Sequence, residues 1–431
     1  MKIAWLTTYA GRSGIADFSR HVVEALAVDH DVELWVPEAT GRLREPVAPI
    51  VRFTRRPLAL RRLHTYDAVV YNIGNELPRH RAIAAVARAR PGIVVLHDVV
   101  LRHFHGGQVV EGTWSPERYL RAIALHDGPE AAATVAARRG PGGDLWSAVD
   151  TWDAAPLFGE AVAGALGVVT HSTEQAVRVR ATWAGPVAPL WMPAYPRARP
   201  PAASPADGPL LLVAVGGLTA NRRLEDVVAV LAARPDLARR VRLVVAGDEP
   251  DPVSARDLRD RIARAGLGDV VRLVGYLPDA ALERLMGEAH AFVNLRHPST
   301  EGGSASLMAQ LAARRPTVVY DSGSFRDVPA AAAVKVAPGD REALAAAIER
   351  LADDRSHRDA VAAAGAAWAA ERSSRRYAAE LSVFLAEVAG RAPLVALCDR
   401  VGRAVAPGPG AQATIDAASE AIATLMPPDW S

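Results

Sequence analysis

The chain has 431 residues and a mass of 45.7 kDa, a length that favours two or three domains. Half of the residues are apolar and 23% are charged, which excludes intrinsic disorder and the collagen-like and coiled-coil classes. Fifty basic residues against 48 acidic ones leave a formal charge of +2, too balanced for a nucleic-acid coat.

Only Lys2 and Lys335 are lysines, so 48 of the 50 basic residues are arginine. Together with abundant Ala, Gly, Pro and Val, this is the mark of GC-rich codon usage. No apolar run is long enough to span a bilayer as a helix. The opening MKIAWLTTYAGRSG reads as a strand entering a glycine turn rather than as a secretory signal, so a cytoplasmic protein is expected. The single cysteine, Cys398, allows neither an internal disulfide nor a cysteine-based metal site.

In chain order, short apolar runs at 2–6, 32–36, 68–72, 93–96 and 167–170 read as strands. Helical spacing at 16–28 and 79–89 lies between them. Residues 42–62 carry seven arginines and read as a solvated basic stretch. Residues 106–160 read as a helical insertion, and the first domain is expected to span 1–192. A Pro-rich stretch at 193–208 has the composition of an interdomain linker.

The alternation resumes with strands expected at 210–215, 242–246, 271–274, 291–295 and 316–320. Helices fit at 222–233, 254–265, 279–289, 304–314 and 340–353, giving a second domain over 209–395. The terminal segment 396–431 reads as helical, with one apolar-periodic helix at 411–425 after a PGPG break. The fold class is therefore α/β, with two doubly wound Rossmann-like domains facing across a cleft. Ligands of such sheets bind outside the carboxyl ends of the strands.

Three glycine-bearing turns fall at such ends. The first, Tyr9 to Asp17, contains Gly14 and opens a helix whose amides and dipole suit an anion or a sugar hydroxyl. It is not the GxGxxG of a dinucleotide site. The second runs Gly216-Gly217-Leu218-Thr219-Ala220-Asn221-Arg222-Arg223, in which small residues admit a ligand and a guanidinium can clamp a diphosphate. In the third, Glu301-Gly302-Gly303-Ser304, a carboxylate precedes a helix N-terminus that can hold phosphate. His97 ends an apolar strand near Asp98, His103 and His105, but the three histidines lack a usual metal-ligand spacing.

Taken in order, these segments resemble the retaining GT-B glycosyltransferases of family 4 (glycosyl transferases group 1). The resemblance is carried by SGIADFS, YNIGNELPRH, PGIVVLHDVVLRHF and VVTHS in the first half. In the second half it is carried by GGLTANRRLEDVV, VVAGDEP, VRLVGYLPD and RHPSTEGGSASL. It implies His97, Glu301 and Arg222 as catalytic residues, with His97 beside the donor sugar. It also implies Gly14, Gly216, Gly217, Asn221, Arg222, Arg223, Gly275, Tyr276, Glu301, Gly302, Gly303 and Ser304 as donor-binding. Asp17, Asn75, His80, Asp98 and His103 fall on its acceptor-side loops.

Two departures stand out. The family's second glutamate, which holds the ribose, is Ala309 here, and the usual arginine of the phosphate loop is Gly217, while its usual lysine is Arg222. The resemblance implies transfer of a sugar from a nucleotide diphosphate sugar to an acceptor hydroxyl with retention, and with neither cofactor nor metal. An epimerase or phosphorylase on the same scaffold, or a degenerate module that binds a sugar nucleotide or partner without turnover, stays open. The GC-rich composition suggests an actinobacterial source; the resemblance allows a secondary-metabolite acceptor, and with no long amphipathic basic helix a soluble small-molecule acceptor is expected. Nucleic-acid partners are not expected, membrane contact is not favoured, and a homodimer is left open. The domains are expected to close over the donor, with the terminal helix crossing back to the first domain.

Overall fold

The computed structural model describes residues 1–11, 13–54, 60–140, 142–195 and 208–391. The core of the expected linker and the expected helix at 411–425, with Cys398, lie outside the described residues.

The first domain holds a seven-stranded, all-parallel sheet. Its strands are β1 (Lys2–Leu6), β2 (Asp31–Pro37), β3 (Ile50–Phe53), β4 (Ala68–Ile73), β5 (Ile93–Leu96), β6 (Gly167–Thr170) and β7 (Val187–Pro189). Their order is β3-β2-β1-β4-β5-β6-β7. Every residue of β4, β5 and β6 is buried, as helices covering both faces require.

The second domain repeats the plan with six parallel strands. They are β8 (Leu210–Val215), β9 (Val241–Ala246), β10 (Val271–Gly275), β11 (Ala291–Asn294), β12 (Thr317–Tyr320) and β13 (Val334–Val336), in the order β10-β9-β8-β11-β12-β13. In each sheet the order reverses beside the first strand, between β1 and β4 and between β8 and β11. This reversal opens a crevice at their carboxyl ends.

Three strands escaped the sequence. The basic stretch at 42–62 contains β3, which pairs with β2 from Leu34↔Ile50 to Pro37↔Phe53. Strands β7 and β13 span three residues each at sheet edges, too short to show a pattern. The insertion also begins earlier than residue 106, with helices Arg102–Val110, Pro116–His126 and Pro129–Ala137. Arg102 anchors it from inside, donating to the Tyr119 hydroxyl at 2.7 Å and to Thr151 Oγ1 at 2.8 Å.

The return to the first domain also comes earlier than expected, within the 209–395 segment assigned to the second domain. The helix Ser374–Ala389 packs on the helix Gly14–Leu26, with the Phe18 and Tyr377 rings edge to face at 5.3 Å. His30 Nε2 meets the Ser382 hydroxyl at 2.7 Å. One apolar core therefore runs from Ile3, Trp5 and Phe18 to Leu307, Met308, Leu381 and Phe384. Among the described residues no helix is long and apolar enough to cross a membrane.

Candidate active site

A cleft of about 610 Å³ lies between the two sheets, lined by residues of both domains. From the first come Gly14, Asn75, Glu76, Arg79, His80, His97, Asp98 and His103. From the second come Thr219, Arg222, Arg296, Glu301, Gly303 and Ser304. The walls are joined by main chain. Gly302 N donates to His97 O at 2.8 Å, Val99 N donates to Thr300 O at 3.0 Å, and Asp98 pairs with Glu301 as an antiparallel bridge.

That junction explains the glycine pair. A Cβ on Gly302 would overlap the Gln175 carboxamide, and one on Gly303 would lie 2.8 Å from His171 Cβ and 3.0 Å from Met192 Cβ. The pair thus admits the first domain, whatever it also admits of a ligand. Ser304 caps the helix Ala305–Ala312 by accepting the Leu307 N–H at 3.1 Å.

Charge gathers around Glu301. Its Oε1 accepts from Arg296 Nη1 at 2.6 Å, and the Arg296 side chain is buried. Sequence reasoning did not single out Arg296, although it opens the segment RHPSTEGGSASL just after a strand. Arg222, on the turn Ala220–Arg222, donates Nη1 to Val215 O at 2.8 Å, and its guanidinium occupies the space where Gly216 has no Cβ. Gly216 has φ +127°, a conformation that glycine alone adopts freely. Burial and the neighbouring Arg296 lower the Arg222 pKa to about 9, so it is still a cation at neutral pH.

Facing this pair, Asp98 Oδ2 accepts the Asn75 N–H at 2.8 Å. Burial, then the Glu301 carboxylate, raises Asp98 to about 7. Asn75 also takes the Phe104 N–H at 3.0 Å and meets His103 Nδ1 at 3.3 Å, so it organises the first-domain wall of the cleft. His80 Nδ1 donates to Asn72 O at 3.1 Å, and burial lowers its pKa to about 4.

Several expected residues are held by protein partners or lie outside the cleft. His97 has every polar group engaged: its N–H donates to Ile73 O at 2.9 Å, and its carbonyl accepts from Gly302. Its ring meets Asn72 Oδ1 at 3.0 Å and His171 Nε2 at 3.1 Å. Its ring is thus held by protein partners while the residue itself lines the cleft. His103 packs edge-on to Trp152 and His105 stacks on Trp114.

Arg223 turns away from the cleft to pair with Glu225 at 2.9 Å and Asp226 at 3.0 Å. Asp17 is held by Arg44, one of the arginines read as solvated. Asn221 lines a smaller pocket of about 340 Å³ with Asp150, Asp153 and Arg223. Gly275 and Tyr276 end β10 outside the cleft lining, and Gly217 packs its loop against Pro250 and Asp248. Ala309 packs against the apolar cluster of Val213, Val244 and Phe292, and its own side chain offers no carboxylate to a ribose.

Comparison with known proteins follows the same division. Residues 198–368 match the family described as Glycosyl transferases group 1. No curated protein matches the chain by sequence. Among solved structures, Anabaena HepE in complex with UDP is similar at a TM-score of 0.62 and 16% identity, over 90% of this chain and 100% of that one. The fold is GT-B. Sucrose-phosphate synthase from Thermosynechococcus elongatus is similar at 0.60 and 17% identity, over 90% and 98% of the two chains. WaaG, a glycosyltransferase of lipopolysaccharide biosynthesis, is similar at 0.57 and 14%, over 89% and 99%. The crevice of this GT-B chain thus lies between two switch points, each formed by one Rossmann-like half.

Proposed function

We propose that the protein is a retaining glycosyltransferase that moves a sugar from a nucleotide diphosphate sugar to an acceptor hydroxyl without a metal. The observation that carries this reading is that Arg222, Arg296 and the Glu301 carboxylate bonded to Arg296 line one cleft between the two sheets. As the bond to the sugar breaks, negative charge grows on the leaving diphosphate, and fixed, buried cations stabilise that charge. The HepE structures with UDP and UDP-glucose make a uridine donor the first candidate.

Asn75, His80, Asp98 and His103 form the wall on which the acceptor would lie, and their hydrogen-bonding groups suit a hydroxyl compound. Product analysis with a panel of nucleotide sugars tests the reading. Release of nucleoside diphosphate with formation of a glycoside supports transfer. Interconversion of the donor supports an epimerase instead, and binding without consumption supports a module that does not turn over, the outcome that the apolar setting of Ala309 favours.

A further inference from the structure

The sequence reading left the phosphate loop one cation short, with glycine at position 217. The structure brings another arginine to the same place from a different loop. Arg296 follows β11 at the switch point of the second sheet, and its buried guanidinium neighbours that of Arg222 closely enough to depress it. Arg296 Nη1 is taken by Glu301, but its Nε has no partner, and neither has Nε of Arg222.

The other charged groups of the cleft do not balance the pair. Glu76 is engaged by Arg79 at 2.5 Å. Asp98, with its carboxyl near neutrality in pKa and one oxygen on the Asn75 amide, compensates only in part. Among the described residues Glu301 is bonded to Arg296 alone, so the buried Arg222 guanidinium has no carboxylate of its own, and an uncompensated buried cation is costly. Such a pocket calls for a further anion with several acceptor oxygens, within reach of both forks.

We propose that Arg296 is a second diphosphate ligand, which grips the leaving group beside Arg222 while it anchors Glu301 for the sugar. The proposal rests on the glycosyltransferase reading above. In the transfer, the bond from the anomeric carbon to the β-phosphate oxygen breaks and its electron pair stays on that oxygen. The acceptor oxygen forms the new bond, its proton passes to the phosphate, and both guanidiniums remain protonated. Arg296 thereby couples two tasks that the sequence assigned separately, diphosphate binding and sugar recognition by Glu301.

Calorimetric titration of the full chain with inorganic pyrophosphate, and with nucleoside diphosphates and monophosphates, tests this role. Arg296→Met should weaken pyrophosphate and diphosphate binding roughly 10- to 100-fold, as loss of a charge-assisted contact does, while monophosphate affinity changes little. Arg296→Lys should recover part of the loss. Glu301→Gln, which frees Arg296 from its competing carboxylate, should tighten pyrophosphate binding, and it keeps the test decisive if the Met variant fails to fold. Unchanged diphosphate affinity in Arg296→Met, or weaker pyrophosphate binding in Glu301→Gln, would overturn the role of Arg296 alone. A wild-type protein that binds neither pyrophosphate nor any nucleoside diphosphate would overturn the transferase reading with it.

Discussion

Gly302 donates its backbone N–H to the carbonyl oxygen of His97 at 2.8 Å, so main chain of the second domain is bonded to main chain of the first beside the cleft. The contact ties the loop that bears Glu301 to the strand end that bears Asp98. It makes domain approach and assembly of the candidate site one event, because both loops must meet before their carboxyls face each other.

The approach should depend on the missing side chains. Gly303→Ala would place a Cβ 2.8 Å from that of His171 and 3.0 Å from that of Met192, closer than packed carbons allow. Overpacking of this kind costs about 1–3 kcal/mol, here borne by the domain interface. The variant should lose turnover by roughly 5- to 100-fold and show a larger radius of gyration than wild type by small-angle scattering with saturating nucleotide. Wild-type turnover and radius in the variant would contradict the packing argument.

The two consecutive arginines should behave oppositely. Arg222→Met removes a cation that lines the cleft and should weaken nucleoside diphosphate binding by about 1.5–3 kcal/mol in calorimetry. Arg223→Met removes the partner of Glu225 and Asp226, so it should lower the melting temperature and leave nucleotide affinity near wild type. Equal losses of affinity in both variants would mean that Arg223 turns into the cleft when ligand binds.

Asp98 should set a limb of the activity profile. Its carboxyl is raised to about 7 by burial and by Glu301, so its charge changes within the working range. The pH dependence of kcat/KM should carry an inflection near 7 that Asp98→Asn abolishes. Glu301→Gln removes the like charge and should move that inflection to lower pH. An inflection that survives in Asp98→Asn belongs to another group.

The buried histidines should make the fold acid-sensitive. Burial lowers His171 to about 4, whereas an unfolded chain titrates near 6.5. Between these values the unfolded state binds a proton that the folded state refuses, so stability falls as pH drops from about 6.5 to 4. Asp98, raised in the folded state, works in the opposite direction between pH 7 and 4. His171→Gln should therefore flatten the acid decline of the melting temperature relative to wild type. An unaltered decline would show that His171 is not its source.

Much of the scaffold was legible because parallel strands covered on both faces must be apolar throughout. Hence VVYN, IVVL and LLLVAV stood out, and helices such as Gly14–Leu26 showed their buried face at Phe18, Val22 and Leu26. Arg222 and Glu301 were legible for a related reason, since glycine turns at strand ends mark where a ligand can approach. Strands β3, β7 and β13 were not, because three or four residues at a sheet edge carry too little pattern.

The sequence by itself determined the two α/β halves and the strand ends at which chemistry could sit, since backbone hydrogen bonding and burial act over short, contiguous runs. Only the tertiary structure decided how the polar side chains at these strand ends are held. His97 is committed to Asn72 and His171, Arg223 to Glu225 and Asp226, and Asp17 to Arg44. Arg296 joins Arg222 around Glu301 from a separate loop. A polar side chain is held by whichever partner offers the best compensation for leaving water. That partner is chosen by the packing of segments far apart in the chain.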